Sequence, residues 1–329
     1  MSRKDLLIGI TYDLRDDYLA EGYSHEETAE FDKEETIAGI ENTIQKLGFT
    51  TQRIGNVKAL ARHLVEGKKW DMVFNITEGM YGLAREAQVP CLLDAWNIPY
   101  VFSDGLIMAL TLHKGHTKRI IRDVGIPTAP FCEIRNERDA DAVQLPFPLF
   151  LKPVAEGTGK GISALSKVNS INELKTASRF LLKQFGQPVL VETFLPGREF
   201  TVGIAGNGEE TEALGVMEII YTSGDTIYSM EVKEDYEKRV KYIVPEKEAA
   251  DACIRVALDA WKVLGCVDGG RVDVRMDEKG IPNFIEVNPL AGLNPVHSDL
   301  PILCRLNGID YDTLMNKIIT AALKRNKII

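Results

Sequence analysis

The feature that most constrains the fold is the alternation of short apolar segments with amphipathic ones in the N-terminal third of the chain. Segments 6–12 and 72–76 are short and largely apolar, which is typical of buried strands. Between them, segments 34–47 and 57–66 have the spacing of amphipathic helices, and the first stops before Gly48, a residue common at helix C-termini. This order predicts an α/β domain built on a parallel sheet.

Similar patterns predict elements along the rest of the chain. Segment 223–241 is polar, dense in charge and without clear periodicity, so we expect a loop that is mobile or ordered by a ligand. The remaining predicted helices are 90–96, 117–124, 172–185, 248–264 and 311–324, and the remaining predicted strands are 98–102, 149–153, 189–192 and 199–204.

Size and charge narrow the class of protein. A chain of 329 residues exceeds the usual limit for one hydrophobic core, so we expect two or three domains. The net charge of −9 argues against nucleic acid as a partner and favours a small molecule. No apolar run approaches the roughly 20 residues that span a membrane, and the N-terminus lacks a signal-peptide pattern. We therefore expect a cytoplasmic protein without a membrane partner.

An Asp, a Glu and an Asn stand on two alternating, strand-like segments near the C-terminus. Asp273 lies before a turn at Lys279-Gly280, and Glu286 and Asn288 follow it. Alternation places these side chains on one face, and oxygen ligands of this kind suit Mg²⁺. The alternative is that Asp273 and Glu286 are solvated residues of an ordinary hairpin.

A glycine-rich segment follows the predicted strand that carries Lys152. Its sequence, Glu156-Gly157-Thr158-Gly159-Lys160-Gly161, lets backbone N–H groups approach phosphate oxygens, and a threonine hydroxyl adds a further donor. It matches neither a Walker A loop nor a dinucleotide-binding fingerprint. A flexible hairpin without a ligand is the alternative.

The segment from Val191 to Phe200 has an apolar centre flanked by Glu192 and Glu199. Such a segment can hold an adenine between apolar side chains while one carboxylate accepts hydrogen bonds from the ribose. By itself this signal is weak, and it gains weight from its position between the glycine-rich segment and the metal-binding hairpin.

In this order the motifs resemble the ATP-grasp superfamily, and within it the D-alanine–D-alanine ligase type, from about Phe74 to the C-terminus. The resemblance implies an α/β fold of the α+β ATP-grasp kind, with a parallel-sheet N-terminal (pre-ATP-grasp) domain over residues 1–104. A central subdomain with the glycine-rich loop would cover 105–190 and a C-terminal subdomain with the Mg²⁺ site 191–329, the two clasping ATP between them. The matching motifs are Phe74-Asn75, Ile98-Pro99-Tyr100, His113-Lys114, Leu151-Lys152-Pro153, Glu156-Gly157-Thr158, Val191-Glu192 to Phe200, Arg271-Val272-Asp273 and Glu286-Val287-Asn288.

The resemblance also implies roles for individual residues. Arg271, Gly292, Lys233 and Thr158 would act in catalysis, with Lys233 reaching the terminal phosphate from the 223–241 loop. The implied Mg²⁺ ligands are Asp273, Glu286 and Asn288, with Mn²⁺ as an alternative metal. The implied ATP-binding residues are Lys114, Lys152, Glu156, Gly157, Gly159, Glu192, Thr193, Phe194, Leu195, Glu199 and Lys233.

The implied activity is that of an ATP-dependent carboxylate–amine ligase. It would form a dipeptide-like amide through an acyl phosphate, release ADP and phosphate, and use small carboxylate and amine substrates such as amino acids. A homodimer is implied as well. D-Alanine–D-alanine ligase proper and a non-catalytic ATP-binding regulatory module of the same fold are alternatives, and a carboxylate kinase is a third.

The substrate end departs from the D-alanine ligase pattern. Glu78 stands where those ligases have a histidine, and Asp299 adds an acid beside Ser298, the serine expected to touch the acceptor carboxylate. We name Glu78, His297 and Ser298 as candidate substrate contacts. The acidic segment 13–35 is either a solvated loop or a screen for an amine-bearing substrate.

Overall fold

The computed structural model describes residues 3–222 and 239–329. It begins with a three-stranded parallel sheet of β1 (Leu7–Tyr12), β2 (Thr50–Gly55) and β3 (Met72–Ile76), in the order β2-β1-β3. The predicted parallel sheet is confirmed. The sequence pattern missed β2, because its residues are mostly polar and partly exposed, as befits an edge strand.

Helices cover this sheet, and one predicted strand is wrong. Segment 98–102 makes only an isolated bridge, in which Val73 pairs with Tyr100. Pro99 has no N–H to donate and Phe102 has a positive φ of 77°, so the backbone does not continue a ladder. The helices are α1 (Arg15–Ala20), α2 (Glu34–Lys46), α3 (Val57–Val65) and α4 (Gln88–Ala95).

The middle of the chain builds a four-stranded antiparallel sheet in the order β4-β7-β5-β6. One face of it packs on α7, whose N-terminus is capped by Ser170 and whose C-terminus ends at left-handed Gly186. The elements here are α5 (Gly105–Leu112), α6 (Lys114–Asp123), β4 (Phe131–Ile134), β5 (Leu149–Pro153), β6 (Lys167–Val168), α7 (Ile171–Phe185) and β7 (Val189–Thr193).

The C-terminal part contains a five-stranded antiparallel sheet in the order β10-β9-β8-β11-β12. Trp261 of α8 is fully buried against this sheet and forms part of its core. The elements are β8 (Glu199–Ala205), β9 (Glu212–Tyr221), β10 (Val240–Ile243), α8 (Lys247–Leu264), β11 (Gly269–Met276), β12 (Pro282–Asn288), α9 (Asp299–Leu306) and α10 (Tyr311–Arg325).

The N-terminal sheet shares its core with the C-terminal helices. Phe74 of β3, Leu303 of α9 and Ile318 of α10 belong to one buried cluster. Fully buried Asp268 joins the same regions, since it accepts hydrogen bonds from the Phe102 N–H (2.8 Å) and from Arg325 (2.7 Å). β7 runs across the predicted boundary at residue 190, and the proposed division into three domains stays a prediction. Among the described helices, none is long and apolar enough to cross a membrane.

Candidate active site

The glycine-rich segment lies directly after β5 and has an unusual backbone. Gly159 has a φ of 75°, and Thr158 has a φ of 54°, a left-handed conformation that is uncommon for a residue with a side chain. Lys114, at the first position of α6, donates to the carbonyl oxygen of Glu156 at 2.5 Å. The segment and the lysine predicted with it therefore lie together.

Residues from the acidic N-terminal segment also reach this loop. The Gly157 N–H donates to a carboxylate oxygen of Glu30 at 2.5 Å, and Arg85 donates to both oxygens of the same carboxylate at 2.8 and 3.0 Å. Glu30 and Arg85 are nearly buried, with 5% and 6% of their side chains exposed. Segment 13–35 is thus not simply a solvated acidic loop.

A buried triad of charges supports the strand ends beneath the loop. Glu192 of β7 forms ion pairs with Lys152 of β5 at 3.0 Å and with Lys118 of α6 at 2.5 Å. All three side chains are at most 5% exposed. Burial acts to raise the pKa of Glu192, but the two ammonium groups outweigh it and hold that pKa below its ordinary range. Glu192 therefore stays ionised and fixes Lys152.

An apolar cavity of about 120 Å³ lies beside this triad. Phe150, Phe194 and Leu195 line it, and Thr193 contributes a buried hydroxyl that has no hydrogen-bond partner among the described residues. Flat apolar walls with a few polar atoms are the features that hold a nucleobase. The ends of β5 and β7 bring these residues together.

Glu199 also lines this cavity, where two neighbours hold its carboxylate. The Tyr221 hydroxyl donates to its carboxylate at 2.6 Å and Arg275 at 2.9 Å. Burial raises the pKa of Tyr221, and the negative charge of Glu199 raises it further. The Tyr221 hydroxyl therefore keeps its proton and remains a donor. The carboxylate is thereby positioned to accept hydrogen bonds from a sugar.

The register of β11 and β12 gathers the predicted metal ligands. Asp273 pairs with Glu286 and Arg271 with Asn288, so these four side chains share one face of the hairpin. The Asn288 amide donates to Asp273 at 3.2 Å, and Thr201 of β8 donates to the other oxygen at 2.8 Å. Asp273 and Glu286 are not freely solvated, because only 15% and 25% of their side chains are exposed, and burial raises the pKa of Asp273 to about 6.

The donor set of this hairpin fits Mg²⁺. It offers two carboxylates and an amide oxygen, which are hard ligands that leave positions for phosphate oxygens. In the part of the chain that the structure describes, no group of three or more His, Cys, Asp or Glu side chains is placed to hold a metal. Lys114 lies 3.6 Å from Glu286 and links this hairpin to the glycine-rich loop.

Arg271 projects from the hairpin toward α9. It forms ion pairs with Asp273 at 3.2 Å and with Asp299 at 3.0 Å. Asp299 is the first residue of α9 and is buried, and Ser298 precedes it at the N-cap position. Gly292 lies so close to Ser298 that a Cβ at residue 292 would stand 2.8 Å from the serine hydroxyl.

A second cavity, of about 550 Å³, adjoins the first. Arg271, Thr158 and Glu286 line both cavities, so the two meet at the hairpin of β11 and β12. The structure therefore brings together every predicted site residue that falls within the described ranges, whereas Lys233 lies outside them. The predicted residues that line this cavity are Glu78, Lys114, Glu156, Gly157, Thr158, Arg271, Glu286, Asn288, Gly292, His297 and Ser298.

Sequence reasoning missed several residues of the site. Glu30, Arg85, Lys118 and Tyr221 reach it from distant parts of the chain, and no local motif marks them. In the sequence Asp299 is only an extra acid beside Ser298, and its ion pair with Arg271 is visible only in the structure.

Comparisons with known proteins identify the family. Residues 120–320 match the family model described as the D-ala D-ala ligase C-terminus. The chain is 33% identical over 282 residues to a D-alanine–D-alanine ligase of Aquifex aeolicus, covering 85% of this chain and 92% of that protein. A D-alanine–D-alanine ligase of Cupriavidus metallidurans is 33% identical over 260 residues, covering 77% of this chain and 76% of that protein.

Solved structures show the same fold. The structure of D-alanine–D-alanine ligase from Bacillus anthracis complexed with ATP superimposes with a TM-score of 0.75 at 23% identity, covering 98% of both chains. The VanG D-Ala:D-Ser ligase of Enterococcus faecalis gives a TM-score of 0.74 at 22% identity, covering 96% of this chain and 99% of that one. The predicted α/β ATP-grasp fold is confirmed.

Proposed function

Because this chain belongs to the D-alanine–D-alanine ligase family, we propose that it is an ATP-dependent ligase that joins a small carboxylate to an amine and releases ADP and phosphate. The observation that carries the proposal is the meeting of two cavities at one hairpin. The cavity with apolar walls suits a nucleotide, and the larger polar one suits the molecules to be joined.

The nucleotide cavity accounts for ATP binding in this proposal. Phe194 and Leu195 enclose the base and Glu199 accepts from the ribose hydroxyls. Lys152, which pairs with Glu192, and Lys114, which lines the second cavity, neutralise the phosphates. The Thr158 hydroxyl and the N–H groups of the glycine-rich loop add hydrogen bonds.

The metal hairpin serves the first chemical step. Asp273, Glu286 and Asn288 would hold Mg²⁺, or Mn²⁺ in its place, which supplies positive charge to the terminal phosphates when it is bound. A substrate carboxylate oxygen attacks the γ-phosphorus, the bond to the β-phosphate oxygen breaks, and ADP leaves. The side chains position the reactants and stabilise the negative charge on the phosphates, so this step needs no nucleophilic side chain.

Arg271 and Gly292 serve the second step. The amine of the other substrate attacks the acyl carbon, and the bond from that carbon to the phosphate oxygen breaks after a tetrahedral intermediate. The oxyanion of this tetrahedral intermediate would accept hydrogen bonds from the Arg271 guanidinium and the Gly292 N–H. The amine loses a proton and phosphate departs, which leaves the amide.

Amino acids are the substrates that we propose, and a pair other than two D-alanines is favoured. The reason is the substrate end of the cavity, where Glu78 replaces the expected histidine and Asp299 pairs with Arg271. A homodimer and a cytoplasmic location are part of the same proposal, and size-exclusion chromatography with light scattering tests the dimer.

Phosphate release from ATP and Mg²⁺ across a panel of single and paired amino acids, in both enantiomers, tests the ligase. Mass spectrometry of each positive reaction must show the condensed product of the two amino acids. Glu286→Gln is the matched control, because it removes one metal ligand and keeps the side-chain size. Tight ATP binding without product from any pair would instead favour the non-catalytic alternative.

A further inference from the structure

Among the described residues, those that line the larger cavity carry more negative charge than the cations around them balance. Four of its carboxylates have a cationic partner within 3.6 Å, namely Glu30 with Arg85, Glu156 with Lys160, Glu286 with Lys114, and Asp299 with Arg271. Of the others, Asp32 accepts a hydrogen bond from Thr36, and Glu35 is exposed to solvent. Glu78 and Glu86 remain.

The carboxylates of Glu78 and Glu86 form no hydrogen bond and no direct ion pair with any described residue, although Arg85 attracts both, and Lys114 attracts Glu86, from a longer distance. Both line the cavity and both are partly buried. A tight backbone contact holds their two segments together, since a Cβ on Gly79 would lie 2.8 Å from the carbonyl oxygen of Arg85. Glu78 directly precedes Gly79 and Glu86 directly follows Arg85, so the two acids lie beside this contact.

This arrangement is unfavourable for the protein without a ligand. Burial, followed by the charge of Glu86, raises the pKa of Glu78, and burial raises the pKa of Glu86 to about 7. Buried carboxylates without a partner cost free energy, so structural residues at such places are normally apolar or paired. A cation in the cavity would remove the cost.

The place of the two acids indicates that the cation belongs to a substrate. The same cavity is lined by Arg271 and Gly292, which the proposed mechanism uses on the reacting acyl group. The amine of one of the two amino acids must be neutral to attack, so a pair with neutral side chains brings only one ammonium group that stays charged, whereas two carboxylates lack a direct partner among the described residues. A molecule with two ammonium groups and one carboxylate matches this count.

We propose that one of the two substrates is a diamino acid, and that Glu78 and Glu86 bind its ammonium groups. This inference rests on the proposed ligase function and names the substrate class of that site. Ion pairs of this kind contribute specificity at a site already built for amide formation.

Calorimetric binding with Mg²⁺ and a non-hydrolysable ATP analogue tests the inference without requiring turnover. The probes are 2,4-diaminobutyrate, ornithine and lysine, each in both enantiomers, compared with the neutral 2-aminobutyrate, norvaline and norleucine. A charge-assisted pair is expected to make the best diamino acid bind about 10- to 100-fold more tightly than its neutral counterpart.

Glu78→Gln and Glu86→Gln should each reduce that preference by about tenfold or more. Glu137→Gln is the matched control, because Glu137 is exposed and pairs with Arg179. Both cavity variants should melt at or above the wild-type temperature, since each removes an unpaired buried charge.

Three results would overturn the inference. These are a failure of every diamino acid to bind better than its neutral counterpart, a preference that survives both cavity variants, and an equal loss in the Glu137→Gln control. Product formation is scored separately. A diamino acid preference without any condensed product would refute the ligase proposal alone, and condensation of neutral amino acids without such a preference would refute this inference alone.

Discussion

Replacing Glu192 by Gln should destabilise the protein strongly, because Glu192 is the shared partner of two buried lysines. Lys118 has no exposed side-chain surface and Lys152 has 5%. The substitution keeps the size of the side chain and removes its charge, so two ammonium groups are left facing a neutral amide. Removing one partner of a buried ion pair costs about 3–5 kcal/mol.

That loss is a large share of the roughly 5–15 kcal/mol by which folded proteins are stable. Urea unfolding at pH 7, followed by circular dichroism and tryptophan fluorescence, measures it. Glu137→Gln is the control, because its pair with Arg179 has 58% and 62% of the two side chains exposed. Exposed pairs contribute about 0–1 kcal/mol, so this control should unfold nearly like the wild type.

The stability lost in Glu192→Gln should depend on pH in a definite direction. The pKa of Glu192 is lower in the folded protein than its ordinary value of 4.5, so its contribution to stability is complete above pH 4.5. It is lost as the pH falls below that value through the folded pKa. The difference between wild type and Glu192→Gln should therefore be constant near neutrality and shrink in acid.

A double-variant cycle separates the ion pair from other effects. Lys118→Met removes one of the two cations, and in the combined Lys118→Met/Glu192→Gln variant fewer buried charges lack a partner. The combined cost should then be smaller than the sum of the two single costs. A loss below about 1 kcal/mol for Glu192→Gln, or strictly additive costs, would refute the reasoning that this buried triad holds its strands together.

Three further substitutions test the catalytic proposal. Glu286→Gln should abolish metal-dependent phosphate release while the circular dichroism spectrum stays native, and activity that survives would contradict its place among the Mg²⁺ ligands. Lys233→Ala should lower kcat with less effect on the KM for ATP, as measured by steady-state kinetics, and unchanged kcat would remove this residue from the mechanism. Asp299→Asn should lower kcat about tenfold or more while ATP binding by calorimetry is unchanged, because Arg271 loses its buried partner. A loss of ATP affinity instead would assign Asp299 a structural role.

Local patterns in the sequence determined much of the fold and the centre of the site. The alternation in 271–288 has a period of two residues, so it predicted that Asp273, Glu286 and Asn288 share one face. The glycine-rich segment was equally visible, because the left-handed backbone at Gly159 is a property of neighbouring residues. Helical spacing identified α2, α7 and α10 for the same reason.

Local patterns were misleading where the neighbours of a segment decided its structure. Segment 98–102 is apolar like a strand, yet its only bridge is to Val73, and Phe102 adopts a positive φ. β2 is polar like a loop, yet it forms an edge strand because β1 offers it a partner. Whether a backbone joins a sheet depends on the strand beside it, which can be distant in the sequence.

Only the tertiary structure decided which charges meet in the site. Glu30 reaches the Gly157 N–H across 127 residues, and Arg271 reaches Asp299 across 28. That Glu78 and Glu86 have no direct ion pair with the residues the structure describes is likewise visible only from the packing of distant segments. The sequence thus determined the residue types and local geometry of an ATP-grasp ligase. The packing of distant elements determined their electrostatic partners, because a charge interacts with whatever lies nearest in space rather than with its neighbours along the chain.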